Sequence, residues 1–303
     1  MMDFTPFQKK ILTLLPEIDL QFQESMAKHT SFRIGGEAEV MAFPKNAQEL
    51  SALLNVAAQL QTCPAILGAG TNVLAPDAGL PGLCICLKDA LDGIELLEDD
   101  RIRVMAGVTM TRAAVFAANQ GLSGMEFAHG IPGTVGGGVY MNAGAYGGEI
   151  RDICESVEVM DMQGNLSVKS REEMEFSYRH SILEDQGGIV VSAVFSLTPA
   201  EPEAIRERMK ELKGKRSASQ PLDLPSAGSA FKRPVGGYAA ALIDQAGLKG
   251  FRVGGAAISE KHAGFAVNLG GATAEDVCEL LRQVSDRVFA DSGIRLEPEV
   301  RIW

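Results

Sequence analysis

Positive charge is scarce in this sequence. Its 303 residues hold 28 Lys and Arg against 39 Asp and Glu, for a formal net charge of −11 and a pI near 5.0. Nucleic-acid binding needs cations to displace condensed counterions, so this balance excludes a general nucleic-acid binder and disfavours a basic membrane-binding face. Long apolar runs are missing too. The amino-terminal MMDFTPFQKKILTLLPEIDL is broken by Pro16 and acidic residues, and no later window is apolar for the length of a span, so neither a signal peptide nor a transmembrane helix is read. The cysteines, Cys63, Cys84, Cys86, Cys154 and Cys278, are odd in number and lack the two-residue gap of metal and redox motifs. Free thiols in a reducing cytoplasm are expected, with Cys84 and Cys86 on one face of a buried strand LCICL. Four scattered histidines without HExxH spacing leave no expected metal site.

Glycine, in contrast, is abundant. There are 33, about 11% of the chain against a usual usage of about 7%. Ten of them fall between Gly121 and Gly148, in GLSGMEFAHGIPGTVGGGVYMNAGAYGGE. Glycine costs conformational entropy on folding, and such a cluster is tolerated where the backbone turns tightly or approaches something closely. Exposed N–H groups of this kind can cradle a phosphate without a cationic side chain. A second glycine turn lies at LGAGTNVL. It is not a complete G-x-G-x-x-G fingerprint, because Val73 stands at the third glycine position and Pro76 follows, and no Walker loop is present. Two separated glycine-rich segments in one α/β domain suit an extended dinucleotide lying between two subdomains.

The hydrophobic pattern reads as alternating strands and helices. Glu39 to Pro44 is strand-like, Asn46 caps a helix through Leu50, Leu53, Leu54, Ala57 and Leu60, and AIL leads into the glycine turn. Strands follow at LCICL, RIRVMAG, ESVEVMD and GIVVSAVFSL, with a helix from Met110 to Gln120. Composition shifts near Pro199, where a charge-laced amphipathic helix carries Ile205, Met209 and Leu212 on one face. A helix from Tyr238 to Ala246, the strands VGGAAI and GFAVNL, and a last helix opened by Thr273 complete the second part. That last helix has Val277, Leu280, Leu281, Val284 and Val288 on its apolar side. The closing LEPEVRIW alternates as a strand, with Leu296, Val300 and Ile302 on one face and Glu297, Glu299 and Arg301 on the other. At 303 residues two domains are expected.

Several runs, collinear and spanning almost the whole chain, resemble the UDP-N-acetylenolpyruvoylglucosamine reductase family of bacterial peptidoglycan synthesis. They are TSFRIGG (30–36), LGAGTNVL (67–74), GIPGTVGGGVYMNAGAYGGE (130–149), FSYRHS (176–181), PSAGSAFKRP (225–234), LIDQAGLKG (242–250), HAGFAVN (262–268) and LEPEVRIW (296–303). The resemblance implies an α+β (mixed α/β) fold: a two-subdomain FAD-binding domain of the vanillyl-alcohol-oxidase (PCMH) type plus a smaller α/β substrate-binding domain. In this chain that places the FAD-binding domain at 1–199, in subdomains of about 1–74 and 75–199. The substrate-binding domain is 200–291, and a C-terminal strand at 292–303 returns to the first subdomain.

It further implies non-covalent FAD, NADPH as co-substrate, a UDP-sugar enolpyruvyl ether as substrate, a cytoplasmic bacterial setting and a monomer. Hydride passes from NADPH to flavin N5 and then to C3 of the enolpyruvyl group, with protonation at C2. The catalytic set carried over is Arg179, Ser229 and Glu299. Arg179 would stabilise the enolate, Ser229 would protonate it, and Glu299 would orient or act as a second acid. The motif residues implied for the cofactor are Arg33, Gly68, Ala69, Gly70, Thr71, Asn72, Gly133, Thr134, Val135, Gly136, Gly137, Asn142, Ala143, Gly144 and Ala145. Tyr178, Lys232, Asn268 and Arg301 are the substrate-binding candidates, and Lys232 with Arg233 would form a phosphate pair. Arg179 and Ser229 lie 229 − 179 = 50 positions apart, as in the shorter, type II members, so no lid tyrosine is carried over.

Each residue also has a plain structural reading. Arg179 could be a solvated charge, Ser229 a turn residue after Gly228, and Glu299 a residue on a wet strand face. His129 and His262 read as structural donors beside glycines, and His180 has no evident partner. The charge divides unevenly. Residues 1–199 hold 13 cationic and 25 acidic side chains, and 200–303 hold 15 and 14. The acidic part would grip a diphosphate through backbone N–H groups, and the near-neutral part would receive the anionic substrate.

Overall fold

The structure, a computed structural model, describes residues 4–303, so the first three residues of the amino-terminal segment read above lie outside the described residues. The chain adopts the mixed α/β class read from its sequence. It forms two compact units that are discontinuous in sequence. One holds the chain up to Phe22 with Glu39–Ala69 and Gly82–Gly214, and the other holds Gln23–Ala38, Gly70–Pro81 and Lys215–Trp303. Each has its own apolar core, the first running from Ile11 to Met209 and the second built of Phe32, Ile34, Leu74 and residues between Ala227 and Val300.

The first unit contains an antiparallel five-stranded sheet in the order Leu166–Ser170, Cys154–Met160, Ile189–Ser196, Arg101–Met105, Ile94–Leu96. The central strand, IVVSAVFS, is buried along almost its whole length, so its apolar run marks a strand covered on both faces. The edge strand LSVKS is largely exposed and carries Lys169, a charge that discourages pairing with another chain. A second sheet orders Asp19–Ser25, Glu37–Phe43, Leu80–Cys86 and Ala65–Leu67, the last two strands parallel with Leu67 opposite Cys86. The expected helix spans Ala47–Gln59, and Asn46 caps it by accepting from Glu49 N at 2.9 Å. Cys84 and Cys86 are buried as expected, and burial pushes their thiols up to about 12 and about 11, so both stay protonated at neutral pH.

In the second unit an antiparallel sheet runs Ser226–Ser229, Phe265–Asn268, Ala256–Ile258, Arg252–Val253. The helix Ala274–Ser292 packs on it through Val277, Leu280, Leu281, Val284 and Val288, all almost fully buried. Its start is a capping box: Thr273 Oγ1 accepts from Asp276 N, and Asp276 Oδ2 accepts from Thr273 N. A second carboxylate joins it from far along the chain, since Asp77 accepts from Ala274 N at 3.0 and 2.8 Å. Caps of this kind contribute about 1 kcal/mol each. Gly293, at φ +71, then ends the helix in the left-handed conformation that glycine adopts at least cost.

The carboxyl terminus differs from its sequence reading. LEPEVRIW is not one alternating strand: only Arg301–Ile302 is, paired in parallel with Val73–Leu74. Leu296 and Val300 are buried but Ile302 is 51% exposed, because the segment changes pairing partner after Glu299, from residues 230–232 to Val73–Leu74. The segment before it instead lies against residues 230–232. Lys232 N donates to Glu297 O and Glu299 N to Ala230 O, each at 2.9 Å, with Phe231 bridged to Pro298.

Candidate functional site

The glycine turn at 68–72 follows the carboxyl end of the strand Ala65–Leu67, the end at which open α/β sheets receive ligands. None of its backbone N–H groups, from Gly68 to Asn72, is donated to an acceptor among the described residues, although Gly70 is buried and the others half-buried. Unmet donors in a partly buried loop are costly unless a ligand or water meets them. A loop whose successive N–H groups are left without acceptors of the chain suits a dinucleotide diphosphate. Gly70 is required there: its φ is +60, and a Cβ would collide with His29 O. The residues of this loop therefore fit FAD.

In the first unit, Thr134 caps the short helix Val135–Tyr140 by accepting from Gly137 N at 3.3 Å. The glycines of this helix divide by role. A Cβ on Gly136 would lie 2.8 Å from Ala106 Cβ, and one on Gly138 2.8 Å from Met110 Sδ, so these two serve close packing. Gly137 is exposed, with its N–H spent on the Thr134 cap and its carbonyl accepting from Met141 N. Part of the glycine cluster thus answers to the packing of the core.

Asn142, expected among the cofactor contacts, is engaged inside the chain. It is fully buried, and its side chain is spent inside the chain: Nδ2 donates to Glu149 Oε2 at 3.1 Å and to Ser177 O at 2.9 Å, while Oδ1 accepts from Arg151 N at 3.0 Å. Glu149 also pairs with Arg151 Nε. Ala143 is half-buried, and Gly144 and Ala145 form a two-residue strand facing Gly148–Glu149.

Arg179 sits on the second residue of a tight turn. Ser177 and His180 exchange backbone hydrogen bonds, Ser177 N to His180 O at 3.1 Å and His180 N to Ser177 O at 3.3 Å, with Tyr178 and Arg179 between them. Arg179 has φ +57, a conformation that turns usually assign to glycine or asparagine. Its guanidinium lies 5.0 Å from the Tyr178 ring centre, and Nη2 donates to Gly144 O at 3.2 Å. A non-glycine residue held in this region is strained, and such strain concentrates at functional sites. His180, read as lacking a partner, lies 3.0 Å from Asp185 Oδ2 through Nε2.

In the second unit, Ser229 ends the strand Ser226–Ser229 opposite Phe265 and is exposed. The bond from Glu299 N to Ala230 O brings the backbone of Glu299 beside that of Ser229's neighbour, so two of the three expected catalytic residues are held close by one strand edge. Asn72 fastens the same segment, Nδ2 donating to Glu299 O at 3.2 Å and its own carbonyl accepting from Arg301 N at 2.9 Å. Lys232 is 3.7 Å from Glu297. Arg233 stacks 3.9 Å over the Tyr238 ring. Asn268 works inward, donating to Phe32 O and accepting from Gly270 N and Ala272 N, which leaves Arg33, at φ +55, turned out between buried Phe32 and Ile34. Among residues the sequence reading left without a role, Glu149 and Ser181 lay inside quoted motifs, which was their one signal. Asp77 had none.

His262 accepts from Gly264 N through Nδ1 at 3.1 Å, so its neutral form carries the proton on Nε2. Burial holds its pKa below the usual histidine value, and burial with Lys213 nearby does the same for His129. Groups whose folded pKa is depressed contribute stability that is present above the unfolded value, about 6.5, and lost as pH falls through the folded one. Denaturation midpoints are therefore expected to fall between pH 7 and 5, with a shallower fall in His262→Asn; an unchanged slope in that variant would remove His262 from the account.

Residues 38–168 match the family described as FAD binding domain, and residues 220–303 match UDP-N-acetylenolpyruvoylglucosamine reductase, C-terminal domain. The chain is 44% identical to UDP-N-acetylenolpyruvoylglucosamine reductase of Agathobacter rectalis, an alignment covering 98% of each chain. It is 45% identical to the protein of the same name from Caldanaerobacter subterraneus subsp. tengcongensis, over 97% of this chain and 96% of the other. The crystal structure of UDP-N-acetylenolpyruvylglucosamine reductase from Thermus caldophilus is similar with a TM-score of 0.80 and 37% identity, over 95% of this chain and 99% of that one.

Proposed function

The chain belongs to the UDP-N-acetylenolpyruvoylglucosamine reductase family and carries its FAD-binding and C-terminal domains; from that premise we propose that it uses NADPH to reduce UDP-N-acetylglucosamine enolpyruvate to UDP-N-acetylmuramate in the cytoplasm. Bound FAD supplies hydride transfer between the two substrates. The loop 68–72, whose N–H groups meet no acceptor among the described residues, would hold its diphosphate.

Arg179 faces the enolpyruvyl carboxylate, where its permanent charge and planar fork stabilise negative charge as it develops. Ser229 Oγ delivers a proton to C2. A hydroxyl is a weak acid, but an enolate carbon is basic, and proximity makes the transfer effective. Glu299 orients that delivery or resupplies the proton. Lys232 and Arg301 are the further contacts for the anionic substrate. Asn268 and Asn72 act instead through the backbone segments they fasten, around Phe32 and Glu299.

The observation that carries this reading is the short backbone bridge between Glu299 and Ala230, which supports a joint role for Ser229 and Glu299. The test is anaerobic. NADPH is expected to bleach the flavin absorbance of the purified protein, and UDP-N-acetylglucosamine enolpyruvate to restore it. Bleaching without restoration would leave a flavoprotein with another substrate, and the assignment would be lost.

A further inference from the structure

We infer that two buried side chains, Asn142 and Ser181, are positioning residues for Arg179, a step that rests on the catalytic role proposed above for that arginine. The turn that presents Arg179 is short and strained, so its geometry has to be imposed from outside. Its two flanks are fastened to one stretch of chain. On one side Asn142 Nδ2 donates to Ser177 O at 2.9 Å, and on the other Ser181 Oγ donates to Tyr140 O at 2.8 Å. Both side chains are fully buried.

Asn142 is itself locked. Its second Nδ2 hydrogen meets Glu149 Oε2, its Oδ1 receives Arg151 N, and its backbone is left-handed at φ 41, where asparagine is tolerated. Glu149 in turn pairs with Gly144 in the two-stranded hairpin, and the Gly144 carbonyl is the acceptor for Arg179 Nη2. The turn that carries the guanidinium and the carbonyl that receives it therefore hang from the same asparagine. A buried amide with all its groups paired specifies one geometry far better than a solvated one. Asn142 thus sets the direction of Arg179 from a position that its own side chain cannot leave. Both hydrogens of Asn142 Nδ2 are committed within the chain, to Glu149 and Ser177.

A double-mutant cycle on the full-length holoprotein separates these roles. The variants are Asn142→Gly, which keeps the left-handed backbone accessible, Ser181→Ala, Arg179→Ala, and each of the first two combined with Arg179→Ala. Flavin content per chain, NADPH bleaching rate, and reoxidation rate by the enolpyruvyl substrate are read for each. Asn142→Gly and Ser181→Ala are expected to retain FAD and bleaching while reoxidation falls by about 10²-fold, the scale of a 1 Å misplacement. Added to Arg179→Ala, either is expected to cost less than about twofold more, since the group it positions is already gone. Multiplicative losses alongside an impaired Arg179→Ala would overturn the positioning role and leave the arginine's role intact. A silent Arg179→Ala would sink the arginine's role itself. Loss of FAD on Asn142→Gly would return Asn142 to the cofactor, and an additive Ser181→Ala would then remove the remaining anchor.

Discussion

Replacing Ser229 by alanine is expected to leave NADPH bleaching of the flavin within about twofold of the parent protein while reoxidation by the enolpyruvyl substrate falls by about 10²–10⁴-fold, the usual worth of a positioned general acid. The asymmetry follows from where the proton is needed. Hydride arriving from NADPH requires no proton at C2, whereas completing the substrate's reduction does. The fold should tolerate the change, because Ser229 is exposed at the end of its strand and contributes its backbone to the register with Phe265. Ser229→Cys offers a control of a different kind. A thiol is a stronger acid than a hydroxyl but is longer and larger, so partial activity with an altered pH profile is expected. Stopped-flow absorbance of the two half-reactions checks both variants. Equal loss in both halves for Ser229→Ala would make the residue structural.

How much of this was legible before the structure depends on the range of the interaction that decides each element. The helix Ala274–Ser292 was legible because its determinants are local: a threonine cap, acidic residues in the first turn and apolar residues at helical spacing. Its second capping carboxylate, Asp77, was not, since nothing near position 77 points to a helix some 200 positions away. Period-two alternation suggested a long final strand, and the strand failed where the segment changes pairing partner, from residues 230–232 to Val73–Leu74.

The discontinuous units were hidden for the same reason as Asp77: contact between residues 23–38, 70–81 and 215–303 is a fact of tertiary pairing. Glycine-rich motifs marked the loop at 68–72 correctly as unusual, but the same signal at Gly136 and Gly138 reports packing against Ala106 and Met110. Asn142 shows the limit most sharply. A polar residue within a ligand-binding motif suggests a ligand contact, and its three internal hydrogen bonds to Glu149, Ser177 and Arg151 could not be read from the motif.

Arg179→Gly is expected to separate stability from activity. At φ +57 the arginine occupies a backbone region that costs a residue with a Cβ about 1–2 kcal/mol and costs glycine almost nothing. Glycine gains disorder in the unfolded chain, which takes back about 0.5–1 kcal/mol. Arg179→Ala keeps the strain and removes the guanidinium, so it isolates the side-chain contribution. Of the two variants, the glycine protein should therefore be the more stable by about 1 kcal/mol in urea titration. Both should lose reoxidation by the enolpyruvyl substrate by about 10²–10³-fold, because the charge that meets the developing enolate is gone. Arg179→Lys should recover little, since a point charge on a flexible stem cannot reproduce a planar fork held by the Gly144 carbonyl. If glycine proved no more stable than alanine, the turn would not be strained. If lysine restored full activity, simple charge rather than a fixed guanidinium geometry would be what the reaction requires.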